Sequence, residues 1–272
     1  MNVKALRKQL MAAIAMVVVA AVALSSATYA WFVSNNTVKA VTTNISAQSN
    51  SAYLVIDTKA TSTASTSSAT AAEEVGEGKT YADKALYPAQ WANGFAADKT
   101  ATGDPKIYQF ETAYAENKDA STEKTGTRFA VGDPTAAVTA DYALMNQFYI
   151  GTGTYDGQFT NLKVDSMTVS TGDTNKLAGA IRVLAYIDQN NWALVSPTKV
   201  EASCLAGTVV TTGDNLGIIR TAAFGKTEGD VGVKLYAFYD GAYTEVYTTQ
   251  LEALQNEVGA TVSFSATPTE HK

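Results

Sequence analysis

Alternation with a period of two runs through the C-terminal half of this chain and commits it to sheet. Leu177, Gly179, Ile181, Val183, Ala185 and Ile187 fall on one side of a run whose other side carries Arg182, Tyr186 and Asp188. That is the pattern of a strand with one buried face. Asp188-Gln-Asn-Asn191 then supplies turn chemistry, and Trp192 to Val195 predicts the returning strand of a hairpin. Val231, Val233, Leu235, Ala237 and Tyr239 alternate again, and Asp240-Gly241 closes that run with a turn. Val262, Phe264 and Ala266 give a final strand. Asn146 to Ile150, Phe159 to Val169, Gly217 to Phe224, Val38 to Ile45 and Ser51 to Asp57 read as further strands.

Many short strands separated by turn signals predict an all-β fold, a jelly roll or β-sandwich with long loop insertions. The insertions fall near 58–80, a Ser/Thr/Ala run, and near 96–127, which is polar with Ile107, Tyr108 and Phe110 interspersed. Helix signals are weak. Thr249 to Asn256 reads as one short helix, and Tyr81 to Trp91 as another turn or two.

The first thirty residues carry a different pattern. Lys4, Arg7 and Lys8 precede the apolar run Leu10 to Leu24, and the small residues of SSATYA follow. Basic, apolar and small-residue zones in that order predict a secretory signal helix over 1–30, cleaved after Ala27 or Ala30. The alternative is an uncleaved anchor, since continuing to Phe32 lengthens the apolar stretch toward the roughly 20 residues that span a bilayer. A pilin-like leader is a third reading, although the apolar run contains no Glu. Removing residues 1–30 takes three basic residues and no acids, so the charge moves from −6 to (20 − 3) − 26 = −9. An acidic surface disfavours nucleic acid and anionic membrane, so membrane contact is expected only through the leader.

Composition narrows the chemistry. The chain has one Cys, Cys204, and one His, His271, the penultimate residue. An internal disulfide and a Cys/His zinc site are therefore excluded, and a His-based triad is not expected. Neither a nucleophile elbow nor a phosphate loop occurs. Cys204 has no nearby base and reads as a buried structural thiol. Asp165, Asp188, Asp214, Asp230 and Asp240 fall mostly at strand ends or turns. A carboxylate-pair hydrolase needs only two such groups, but solvated turn residues account for them. Asp156-Gly157, Asp188 and Asp240-Gly241 offer oxygen ligands for a structural Ca²⁺ without EF-hand spacing. No other cofactor is expected, and the chain is not expected to be an enzyme. Tyr236, Tyr239, Tyr243 and Tyr247 fall in strand regions. They form a possible binding face for glycan or protein, in an adhesin-like alternative, or pair across strands for structural reasons.

Residues 27–40 read Ala-Thr-Tyr-Ala-Trp-Phe-Val-Ser-Asn-Asn-Thr-Val-Lys-Ala, and Gly259-Ala-Thr-Val-Ser-Phe-Ser-Ala266 lies near the C-terminus. Both ends resemble the TasA/camelysin family of exported Gram-positive biofilm-matrix fibre proteins, substrates of the ER-type signal peptidase. The resemblance implies a secreted, extracellular jelly-roll subunit. It also implies a homopolymer in which the mature N-terminal segment inserts as a strand into the next subunit. Residues 31–50 are then the possible donor strand, with Trp31, Phe32, Val38, Val41 and Ile45 as its assembly residues, and residues 51–272 the sandwich. Strand addition to an open edge is a general association mode. The competing reading is that Val38 to Ile45 is the first strand of its own sandwich, since natural proteins protect open edges.

Overall fold

The computed structural model describes residues 45–49, 54–58, 68–71, 86–93, 108–112, 130–171, 178–243, 245–246 and 258–269. The leader 1–30, Trp31, Phe32, Val38, Val41, Tyr247 and the helix expected over 249–256 lie outside the described residues.

The strands in chain order are β1 (Ile45–Ser49), β2 (Val55–Asp57), β3 (Ser68–Ala71), β4 (Ala89–Ala92), β5 (Gln109–Thr112), β6 (Ala130–Gly132), β7 (Leu144–Gly151) and β8 (Gln158–Thr171). They continue with β9 (Ile181–Asp188), β10 (Asn191–Ser196), β11 (Lys199–Leu205), β12 (Thr208–Val210), β13 (Ile218–Arg220), β14 (Phe224–Gly225), β15 (Val231–Tyr239) and β16 (Val258–Pro268). A single-turn helix, α1 (Pro134–Thr139), precedes β7. The described residues are all-β in class, as the alternation predicts.

These strands form three sheets. The first has the order β13-β8-β16-β1-β3, with β14 also on β8. The second has the order β12-β11-β10-β9-β15-β7-β2, and the third is β4-β5-β6. The first and second sheets pack face to face as a sandwich. Phe159, Leu162, Val164, Val262 and Phe264 from one meet Ile56, Phe148, Ile150, Val183, Val233 and Leu235 from the other in one apolar core.

The expected hairpin is present. β9 and β10 pair antiparallel, and the Asp188 carboxylate accepts from the Asn190 amide at 2.8 Å and from Asn191 Nδ2 at 2.9 Å. The β11–β12 hairpin turns through Ala206 (φ 48°) and Gly207 (φ 85°). Two left-handed residues in a two-residue turn match the twist of the strands. Ala206 adopts this conformation against its steric preference. Its amide donates to Asn191 Oδ1 and that of Gly207 to the Asn190 carbonyl, so the neighbouring turn holds it.

β8 departs from a simple period of two. Its buried side chains are Phe159, Leu162, Val164 and Met167, so the parity changes along the strand. The β16 pairing skips one residue at Asp165 and another near Asn161, whose φ is 54°. These are β-bulges, which re-aim a strand around a curved core.

Three expectations need correction. The stretch near 58–80 is not only a loop insertion, because it contains β3, paired antiparallel with β1. The stretch near 96–127 contains β5, where Phe110 is fully buried. The end of Tyr81–Trp91 is strand β4, not helix. All three segments contribute short strands whose partners lie far away in sequence, and four residues are too few to show a period.

The largest difference is the third layer. β9 is buried on both faces from Ile181 to Leu184, and Arg182 is 7% exposed, where a half-buried strand was expected. The third sheet and α1 cover the far side of the second sheet. Trp91, Phe110 and Ala137 pack there on Leu184, Trp192, Cys204, Tyr236 and Phe238. Asp133 caps α1, accepting from the Ala136 amide at 2.8 Å, and Pro134 occupies the first helical turn.

Candidate functional site

β1 stands out in the first sheet. It is polar (ISAQS), and it pairs parallel with β16 from Ile45↔Ala260 to Ser49↔Phe264. On its other side it pairs antiparallel with β3. Every other strand pair among the described residues is antiparallel. A parallel neighbour cannot be reached by a tight turn, and here the partners lie at opposite ends of the chain. Ile45, the last of the expected assembly residues, is the first residue of this strand. The backbone groups of β1 are therefore engaged on both sides within its own sheet.

The tyrosines do not make a common face. Tyr236 and Tyr239 are 2% and 1% exposed. They lie three apart on β15 and so point to opposite sides of the sheet. Tyr236 enters the contact with the third layer and Tyr239 the sandwich core. Burial raises the phenol of Tyr239 well above its ordinary range. Tyr243 is half-buried, with the Arg182 guanidinium 5.8 Å above its ring. The binding face expected from these residues is thus corrected: alternation buries its first two members in different cores.

The second interlayer contact is an aromatic seam. Trp91 meets Trp192 with ring centroids 5.7 Å apart and planes at 86°, and Tyr186 at 6.2 Å and 84°. Tyr108 lies 4.8 Å from Trp192, and Phe110 meets Phe238 at 5.0 Å and 81°. The indole Nε1 atoms of Trp91 and Trp192 are buried without a hydrogen-bond acceptor. In a perpendicular pair, one indole edge meets the other's face, a geometry that suits an N–H against a π cloud. Cys204 pairs across strands with Trp192 and is fully buried. Burial pushes its thiol up to about 11, so it is neutral and inert at neutral pH, as expected of a structural cysteine.

One buried cation anchors the end of the seam. Arg182 Nε lies 3.1 Å from Glu201, and Nη2 lies 3.0 Å from Asp240. Nη1 donates to the Gly179 and Ile181 carbonyls at 2.6 and 2.9 Å. Gly179 lacks a Cβ where the Tyr243 hydroxyl sits, so that ring reaches the guanidinium. Asp240 also bridges to Ala89, and the Gly241 amide donates to the Ala89 carbonyl at 2.9 Å. The network thereby ties β4 of the third sheet to the end of β15.

Several other described carboxylates are engaged. Asp156 pairs with Lys226, Glu228 accepts from Gln158, and Asp165 accepts from Ser265 Oγ at 2.8 Å. Asp165 lies within β8, not at a turn. Glu111, which the sequence did not single out, is fully buried and accepts from Gln90 Nε2 at 3.2 Å. Among the described residues, no group of three His, Cys, Asp or Glu is placed to hold a metal ion. No described helix is long and apolar enough to cross a membrane. Comparison with protein-family models, curated proteins and solved structures finds nothing that matches this chain.

Proposed function

We propose that this chain is a secreted, non-enzymatic structural subunit of a cell-surface or biofilm-matrix fibre, assembling as a homopolymer by β-strand addition. Signal peptidase removes the leader in this reading, and the jelly-roll connectivity implied by the resemblance belongs to it. One observation carries the reading. β1, the first described strand, lies between β16, with which it pairs parallel, and β3, with which it pairs antiparallel, and no short turn ties it to β16. The backbone pairing that β1 makes on both sides is pairing that the same strand of a second copy can also make.

The first test is electron microscopy of the mature protein with and without residues 31–50, the expected donor segment, which includes β1. Filaments in the first sample and soluble folded monomers in the second are expected. Filaments from the truncated protein overturn the mechanism. A second test uses Ser46→Cys with Thr261→Cys on a Cys204→Ala background, since these positions are register partners. Strand donation produces disulfide-linked ladders from assembled material. Only intrachain disulfides there would refute donation through β1.

A further inference from the structure

We infer that Tyr87 and Tyr142 form a site of oxidative phenol coupling, giving a carbon–carbon staple within one chain. Their ring centroids are 5.6 Å apart with planes tilted at 46°. Tyr87 is 37% exposed, the most exposed large hydrophobic side chain among the described residues, and Tyr142 is half-buried. The two backbones are fixed against each other. The Tyr87 amide donates to the Asp141 carbonyl at 2.8 Å, and the Tyr142 amide to the Ala137 carbonyl at 2.8 Å. Leu86 and Ala143, their immediate neighbours, are fully buried. The rings are therefore neighbours by construction, and an oxidant reaches one of them directly.

Coupling joins the carbons ortho to the two hydroxyls. Each phenol loses one electron and one proton to become a phenoxyl radical. The two radicals form the carbon–carbon bond, and transfer of each ortho hydrogen, as a proton, to its ring's oxygen restores both phenols. With hydrogen peroxide and a haem peroxidase as the oxidant, two phenols and one peroxide give one coupled pair and two waters. The step requires two ring edges to meet. A tilted pair with one ring at the surface allows that by a small rotation of Tyr87.

The chain contains its own control. Tyr186 and Tyr236 have centroids 6.0 Å apart, but their planes stand at 86° and Tyr236 is 2% exposed. There an edge faces a ring face, inside a packed seam. The composition also makes phenol coupling the available oxidative crosslink. One Cys permits no internal disulfide, while the chain holds fourteen Tyr. The staple would join the approach to β4 with the corner between α1 and β7, and so close a long loop in the unfolded chain.

The test treats the full chain with hydrogen peroxide and horseradish peroxidase at low protein concentration. The monomer band is then mapped by mass spectrometry after proteolysis. The expected product links the Tyr87 and Tyr142 peptides, is lighter by two hydrogens, and shows dityrosine fluorescence. It disappears in Tyr87→Phe and persists in Tyr186→Phe. Coupled monomer should also melt several degrees above untreated protein. Three results overturn the inference: a monomer linked through Tyr186 and Tyr236, Tyr87 appearing only in links between chains, and no coupled monomer at all.

Discussion

The two cores of this chain differ in what fills them and in how the chain builds them. The sandwich core is mostly aliphatic with a few phenylalanines, supplied by long strands such as β8, β15 and β16. The seam is dominated by Trp, Tyr and Phe, and its third layer consists of three short strands and one turn of helix. Long alternating strands share a face with many neighbours, so their apolar side chains support one another. Short strands offer few pairs each, and large rings compensate by burying more area per residue and by edge-to-face contact, about 0.5–1.5 kcal/mol per aromatic pair beyond area alone. A layer built that way should unfold separately from the sandwich, because its contacts depend on a few side chains.

The largest effects test that separation directly. Phe264→Ala removes a fully buried ring from the sandwich, and such truncations cost about 3–5 kcal/mol. Denaturant unfolding should show the whole chain losing stability in one transition. Trp91→Ala removes a ring that contacts Trp192, Tyr108, Phe110 and Tyr186. The intrinsic loss is of similar size, about 3–5 kcal/mol, but its expected reach is local. Hydrogen exchange should accelerate across 86–93, 108–112 and 130–139, while β8, β15 and β16 stay protected. Uniform loss of protection would show that the three layers form one cooperative unit.

Arg182 sits where the two cores meet, so its loss should affect both. Arg182→Ala leaves Glu201 and Asp240 as facing acids without their cation. Breaking a buried pair costs about 3–5 kcal/mol. Side-chain exposures of 26% for Glu201 and 16% for Asp240 admit some water, so a loss of about 2–4 kcal/mol is expected by the same reasoning. Replacing all three, with Arg182→Met, Glu201→Gln and Asp240→Asn, should recover much of it. A triple variant no better than Arg182→Ala would show that the carbonyl bonds to Gly179 and Ile181, rather than the ion pairs, carry the anchor.

How far the sequence revealed each core follows from the same contrast. Val231, Val233, Leu235 and Val262, Phe264 display their period over enough residues to be read, and their strands and buried faces are where alternation puts them. The Asp188–Asn191 hairpin was legible because its turn residues are distinctive. The Ala206-Gly207 turn was not, because Ala lacks the preference that its φ of 48° requires. The seam was hidden for two reasons. Trp91 and Phe110 lie in four-residue strands, too short for a period, and their surroundings are polar enough to pass for loops. The inward side of Leu184, Tyr186 and Tyr236 carries Arg182 and Lys234 in the same rows, so half of the second sheet looks solvated. Tyr236 and Tyr239 mislead for a related reason: three residues apart on a strand is the spacing that separates side chains rather than gathering them.

Cys204 gives a smaller test, centred on the seam. Its thiol should resist maleimide in native protein at pH 7 and react once the seam is opened, so Trp91→Ala should expose it without denaturant. Its pKa rises on folding from 9.0 to about 11, which means the folded chain holds the proton that the unfolded chain releases. That contribution is complete below pH 9 and is lost as pH rises toward 11. Stability should therefore fall across this alkaline window, and Cys204→Ala should flatten part of the slope. An equal slope in that variant would assign the alkaline loss to buried phenols such as Tyr239, whose burial acts in the same direction.

The smallest expected effect isolates the edge of the third layer. Asp133 caps α1 through the Ala136 amide, and α1 inserts Ala137 into the seam. Removing such a cap as Asp133→Ala costs about 1 kcal/mol. In a single cooperative fold that loss would spread over every element. In a layered fold it should appear as faster exchange in 134–139 and in the adjoining β5 and β6, with the global denaturation midpoint unchanged. Measuring it in the Trp91→Ala background sharpens the point. If the seam is already open there, the cap has no tertiary packing left to support, and the second substitution should add almost nothing to the exchange rates. Additive effects would instead mean that α1 and the indole stabilise the third layer independently.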